Sequence, residues 1–327
     1  MLTKVMMLIG VTYILFRFFY RVNQRIITYF IGLHHGLLFL LLHTFNMPGL
    51  FQRFTFFRFL SIEVMLDALA MAIFAVKWLH AEPPVSWWPV LCVSVWIIYT
   101  TDHLIDAWQL KGNSTIARHQ FHYKNFFPLI SAVFILSAVN LFVIFNFFEI
   151  EIIVTGILLA LLVMVYFTAL FFKNRLTFSL PKELIVALVF VSGVWFTPLL
   201  IESQNADILT VVVVFIFVGL AFCEGVMVSW FEYAQDKKDS HTSFAFVYGK
   251  VISRKMLRLI LLIICISIIF LFRFSTGLVE NTGLIVLLTM DIVLIMVISR
   301  PDWFAKNGLY RIVGDLVFML PAAIYWI

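Results

Sequence analysis

Charge is scarce in this sequence. Asp, Glu, Lys and Arg make up 13% of its 327 residues, about half the share of a water-soluble domain. Almost the whole chain is apolar runs joined by short loops, so no separate soluble domain fits. Glycine-rich phosphate loops of the GxxxxGK[ST] or GxGxxG type are absent, which argues against a built-in nucleotide-hydrolysing motor. The three cysteines, Cys92, Cys223 and Cys265, all lie inside apolar runs and form no CxxC pair, so they read as packing residues. No small-residue cleavage site follows the first apolar stretch, so a secretory signal is not expected. The formal net charge of +5 rests on so few charges that it reads as membrane topology bias and not as affinity for nucleic acid.

Apolar residues are abundant, at 63% of the chain, with 37 Phe, 9 Trp and 10 Tyr. That composition predicts an all-α, polytopic membrane bundle. Nine runs approach the ~20 residues that a bilayer crossing needs: 59–79, 87–107, 126–147, 151–172, 181–201, 207–231, 255–273, 278–299 and 307–327. Residues 59–327 are therefore expected to form one nine-helix membrane domain. Residues 1–58 form a hydrophobic N-terminal extension. Its two apolar stretches, about 5–20 and 26–46, flank Arg17, Arg21 and Arg25 and read as helices lying in the membrane interface. His34, His35 and His43 in that extension lack the further ligands of a metal site.

Lys and Arg set the orientation. Beyond residue 58, the loops after the second, fourth, sixth and eighth runs, with their flanking helix ends, hold fifteen of these residues, and the other side holds Lys77 and Arg273. The basic side is expected to be cytoplasmic, in an inner or plasma membrane.

Two acidic clusters stand out on that side. Asp102 and Asp106 sit four residues apart where the second run turns polar, which on a helix puts both on one face. Glu232, Asp236 and Asp239 close the sixth run. Four runs separate the clusters, and an even number of crossings returns both to the same membrane face. Glu224 lies two turns deeper than Glu232 in the i, i+4 row Glu224, Val228, Glu232, Asp236. A carboxyl so deep should face the bundle interior and either pair or stay protonated. In an enzyme it would line the chamber and accept a proton or orient an acceptor hydroxyl. In a transporter it would couple an ion, and in a structural role it would pair with a neighbouring helix. Glu63, Asp67, Asp291 and Asp315 are further acids inside apolar runs, for which structural pairing between helices is the plainer reading. Two facing acidic pairs suit diphosphate handling, because each can hold Mg2+ with water and phosphate oxygens completing the shell. An apolar chamber behind them suits a hydrocarbon tail.

These residues carry a resemblance. The segments Asp102-His-Leu-Ile-Asp106, followed by Arg118, and Glu232-Tyr-Ala-Gln-Asp236-Lys-Lys-Asp239, followed by SFAFVYG, resemble the two aspartate-rich motifs of the UbiA superfamily of intramembrane prenyltransferases. The likeness covers residues 59–327 and is that of a divergent member. Ile98 stands where the family commonly has Asn, His119 follows Arg118 where a Pro is usual, and Glu232 replaces an Asp. The resemblance implies nine helices around a central cavity, Mg2+ as cofactor, an isoprenyl diphosphate substrate and a hydrophobic aromatic or lipid acceptor. It implies that Asp102 and Asp106 hold one Mg2+ and Glu232 and Asp236 another, supported by Asp239. Arg118, Lys124, Lys237 and Lys238 are then candidates for contacting the diphosphate. Two alternatives remain beside the transferase: a terpene cyclase on the same fold, and an ion-coupled transporter or inactive scaffold using the buried acids. Nothing in the sequence specifies an oligomeric state.

Overall fold

The structure is a computed structural model that describes residues 58–110, 117–171, 181–239 and 243–326. Apart from Arg58, the N-terminal extension and its expected interfacial helices lie outside the described residues. The first helix, α1 (Ile62–Leu79), is built from Leu, Ala, Met and Phe, all tolerant of helical backbone. It stops in a Schellman turn. His80 takes the left-handed conformation at φ 55°, its N–H and that of Ala81 return to Lys77 and Val76, and Pro83 and Pro84 prevent resumption.

The helices that follow are α2 (Trp87–Gln109), a short α3 (Ala117–Lys124), α4 (Phe126–Phe147), α5 (Ile150–Phe171), α6 (Lys182–Ile201) and α7 (Ile208–Phe231). Then come two short helices, α8 (Tyr233–Asp239) and α9 (Phe244–Tyr248), and four more: α10 (Lys250–Leu271), α11 (Leu278–Ser299), α12 (Pro301–Phe304) and α13 (Leu309–Met319). Among the described residues, seven helices are long and apolar enough to cross a membrane: α2, α4, α5, α6, α7, α11 and α13 with its extension. The other two long helices fall short because they are charged. α1 carries Glu63, Asp67 and Lys77, and α10 begins with Lys250, Arg254, Lys255 and Arg258.

Three local features differ from the runs read in sequence. The basic loop after α2 folds into α3. The expected continuous acidic row breaks at Glu232, which ends α7, and the chain restarts as α8 with Gln235 and Asp236 donating their N–H groups to the Glu232 carbonyl. The last run changes to a 3-10 helix over Leu320–Trp326, where Pro321 removes a backbone donor.

In lipid there is no hydrophobic drive between helices, so close packing and internal hydrogen bonds must hold them together. α11 is the inner helix, 72% buried, and α4 and α5 are peripheral at 17%. At the centre Phe74 and Trp78 of α1, Trp195 of α6 and Phe217 of α7 interlock, with ring centroids 5.0–6.1 Å apart. Gly283 lets α11 approach α1, since a Cβ there would come within 2.7 Å of the Trp78 ring. Trp78 Nε1 donates to Thr210 Oγ1 at 3.1 Å, and Asp207 caps α7 through the Thr210 N–H at 2.8 Å. α13 and its 3-10 extension pack back on α1, which brings the last described helix beside the first.

Candidate active site

On α2, Asp102 and Asp106 share a face one turn apart, as their spacing requires. Pro181 precedes α6 and places Lys182 in its first turn, where the side chain reaches across to α2. Lys182 Nζ donates to Asp106 Oδ2 at 3.1 Å and to Asp102 Oδ2 at 3.4 Å. Tyr166, on the mostly exposed α5, donates its hydroxyl to Asp102 Oδ1 at 2.8 Å. The repulsion within the acidic pair is thus met by one ammonium and one hydroxyl of the chain itself.

Glu232 sits at the break between α7 and α8. Its Oε1 accepts from the Tyr310 hydroxyl at 2.8 Å and from the Arg311 guanidinium, both on α13. The Tyr310 ring stacks on Phe231 with centroids 4.3 Å apart, fixing the hydroxyl. Asp236, on α8, is buried. Beyond it Ser243 caps α9, and Glu183 Oε1 accepts the Phe244 N–H at 2.7 Å. This ties the second motif loop to the start of α6.

Both acidic pairs line one cavity of about 260 Å³. The same cavity is lined by Glu63 and Asp67 of α1, Glu224 of α7 and Asp315 of α13. Arg58 Nε stands 2.8 Å from Asp315 Oδ2. Among the described lining residues, nine carboxyl groups face only four Lys or Arg side chains: Arg58, Arg118, Lys182 and Arg311. Of the residues singled out in sequence, Asp102, Asp106, Glu224, Glu232, Asp236 and Arg118 line this cavity. Lys124, Lys237 and Lys238 are exposed and line no part of it. The Asp239 side chain lies outside the described residues. Asp291 is fully buried between other helices and is likewise not among the lining residues. Among the described residues no three His, Cys, Asp or Glu side chains converge as a self-sufficient metal cage. Each pair would leave most of an ion's shell to water and ligand oxygens.

Behind the first pair, His103 of α2 packs against His122 and His119 of α3, with ring centroids 5.1 and 6.3 Å apart. Burial pushes the His122 imidazole below its ordinary pKa. Its hydrogen bond to the Arg118 carbonyl, at 2.9 Å, opposes that shift, and the Arg118 charge adds to it.

No protein-family model matches the sequence, and no curated protein matches it significantly. Solved structures do match its fold. A UbiA homolog from Aeropyrum pernix K1 in its apo form superposes with TM-score 0.57 at 12% identity, over 81% of this chain and 98% of that one. A UbiA homolog from Archaeoglobus fulgidus bound to DMAPP and Mg2+ gives TM-score 0.55 at 13% identity, over 83% and 99%. The same homolog bound to GPP and Mg2+ gives 0.53 at 13%. The chain has the UbiA fold.

Within this UbiA fold, several cavity residues carried no signal in sequence. Lys182 and Arg311 were legible only as topology charges. Tyr166 and Tyr310 were two aromatics among many. Glu183 followed a proline at a helix start. What singles them out is a partner more than sixty residues away in each case.

Proposed function

We propose that the protein is a divergent UbiA-family, integral-membrane prenyltransferase that moves an isoprenyl group from an allylic diphosphate to a hydrophobic acceptor. In this reading residues 59–327 cross the membrane nine times, with α1 and α10 counted as crossings because α1 lines the cavity and both pack into the bundle. The motif loops then face the cytoplasm, the side rich in Lys and Arg.

The observation that carries the reading is the charge imbalance of the cavity: nine carboxyl groups, the two motif pairs with Glu63, Asp67, Glu183, Glu224 and Asp315, against four cationic side chains. A diphosphate alone would be repelled there, and a divalent cation reverses that. The donor set fits Mg2+, which is ordinarily held by one or two carboxylates with water and substrate phosphates and not by a full protein cage. Asp102 and Asp106 would hold one ion and Glu232 and Asp236 another, and the bound metal would offset the negative charge of the leaving diphosphate.

The chain's own cations have complementary work. Lys182 and Arg311 already sit on the two acidic sites, and each has further N–H donors to give to diphosphate oxygens. Arg118 faces the same cavity. Val64, Val186, Phe190 and Phe318 supply apolar wall for the prenyl tail. When the allylic C–O bond breaks, its electron pair leaves with the diphosphate, and ring faces such as Tyr99 and Phe190 favour the cation left behind.

The test uses purified protein in lipid nanodiscs with prenyl diphosphates of several chain lengths. Binding should require Mg2+ and be lost on chelation, and Asp106→Asn should abolish diphosphate release. Undiminished binding in excess chelator would count against the assignment. Product mass separates an acceptor adduct from a cyclised hydrocarbon.

A further inference from the structure

The start of α10 carries a group of cations that the cavity does not use. Lys250, Arg254 and Arg258 lie at i, i+4 and i+8 on this helix, with Lys255 beside them. None of the four lines the cavity. The indole of Trp230, on α7, gathers two of them. Lys250 Nζ stands 4.4 Å and Arg254 Cζ 5.5 Å from its ring centroid. Trp230 Nε1 fixes that ring by donating to the Lys250 carbonyl at 2.8 Å. Arg254 gives one N–H to the Ile298 carbonyl of α11 at 3.2 Å. Lys250, Lys255 and Arg258 are exposed. No carboxylate among the described residues pairs with any of the four. The helix dipole adds to their mutual repulsion, because this is the positive end of α10 and its first turn holds no acid. The patch therefore favours an anion that the chain itself does not provide.

The rest of α10 says what kind of anion. Leu259, Leu262 and Ile266 follow Lys255 at i+4, i+7 and i+11, so all four share one face. The three apolar side chains are 54–59% exposed. The opposite face, with Leu257, Leu261, Ile264 and Ile268, is buried. With α10 read as a crossing, the outward stripe meets acyl chains. It is also short. Leu259–Leu271 is thirteen residues, roughly 20 Å of rise, against a hydrocarbon core of ~30 Å. Lys255 and Arg258 are thereby drawn to the level of the lipid phosphates, which their long side chains can reach. A zwitterionic head group would bring its own ammonium beside these cations and cancel much of the attraction. A head group with net negative charge would not.

We infer that the start of α10 is a binding site for an anionic phospholipid. Lys255 and Arg258 hold its phosphate, Lys250 and Arg254 add to the positive field, and its tails lie on the Leu259, Leu262 and Ile266 stripe. This requires α10 to cross the membrane and is independent of the chemistry proposed for the cavity.

The test titrates the full chain in detergent with an anionic and a zwitterionic phospholipid of identical tails, read by native mass spectrometry. The anionic lipid should bind with a Kd tenfold or more below that of the zwitterionic one. Lys255→Gln and Arg258→Gln should each weaken anionic binding about fivefold, the effect of one basic residue beside an anionic lipid surface. The double variant should cut the preference to threefold or less. A melting temperature within 1 °C of wild type in zwitterionic nanodiscs reports that it is folded, and the single variants serve if it is not. Lys124→Gln combined with Lys237→Gln removes the same charge from other helices and should leave the preference within twofold of wild type. Prenyl diphosphate affinity should likewise stay within twofold in the α10 variants. Equal Kd values for the two lipids in wild type, an unchanged preference in the folded α10 variants, or an equal loss in the Lys124 and Lys237 variant overturns the inference. Absence of prenyl diphosphate binding in wild type bears on the transferase reading alone.

Discussion

Replacing Lys182 by Met keeps most of the side-chain volume and removes the ammonium that bridges Asp102 and Asp106. Its two contacts, at 3.1 and 3.4 Å, join groups with side-chain exposures of 22%, 6% and 14%. Breaking a fully buried ion pair costs about 3–5 kcal/mol. The partial exposure of Lys182 and the retained Tyr166 hydrogen bond on Asp102 bring that down to about 2–3 kcal/mol. For a chain of 327 residues that is a fall of roughly 3–4 °C in melting temperature. The loss should depend on metal. In chelator the two carboxylates face each other without a cation, and Mg2+ can take the vacated place. Thermal unfolding in detergent, with chelator and with millimolar Mg2+, should show Lys182→Met well below wild type in the first condition and nearly level with it in the second. Prenyl diphosphate affinity should fall about 10- to 100-fold, the value of one charge-assisted hydrogen bond of roughly 1.5–3 kcal/mol. A melting temperature within 1 °C of wild type in chelator, or a deficit that Mg2+ does not reduce, would refute the view that Lys182 neutralises the acidic pair and that a metal can do the same.

Two other outcomes follow from the geometry. Gly314→Ala would put a Cβ 2.8 Å from Glu224 Oε1; the displacement should cost about 1–3 kcal/mol, read as a lower melting temperature. His122, whose pKa burial holds below 6.5, is neutral in folded and unfolded chains above that pH. As pH falls through 6.5 the unfolded chain binds the proton first, so stability should drop by up to about 1.4 kcal/mol per pH unit and level off below the folded pKa. Comparing unfolding at pH 7.5 and 5.5 should show a smaller acid loss in His122→Gln than in wild type.

Sequence reading reached the acids more readily than their partners, and the reason is physical. Asp102 and Asp106 are four residues apart on one helix, and the count of apolar runs fixes which end of the bundle each cluster occupies, so both properties are local or cumulative along the chain. The counter-ions are neither. Lys182 lies on α6, four helices on from α2, and Arg311 sits on α13, so their pairing depends on the arrangement of the bundle, which hydropathy does not encode. Pro321 lies in the last apolar run, yet that run reads as one continuous helix in sequence and changes to a 3-10 helix at Leu320 in the structure. The break at Glu232, where α7 ends and the Glu232 side chain turns to Tyr310 and Arg311 of α13, carries no such local mark. The charged helices α1 and α10 show the same tension in reverse. Their apolar length reads as a crossing, and their acids and bases place them at the margin of that class.

The pairing of Glu232 with Tyr310 and Arg311, and of Arg58 with Asp315, bears on the order in which the protein is made. Every carboxylate of the two motifs is synthesised and inserted before α13 leaves the ribosome. Until then Glu232 has neither of the two partners it holds in the finished fold, and Asp67 and Glu224 have no wall opposite them. A nascent chain halted at α11 would carry both acidic motifs in full and still have no assembled site. α13, which follows both motifs in the chain, supplies the partners of Arg58 and Glu232. Ribosome-bound intermediates of increasing length should therefore become protease-resistant at the motif loops only once α13 has emerged.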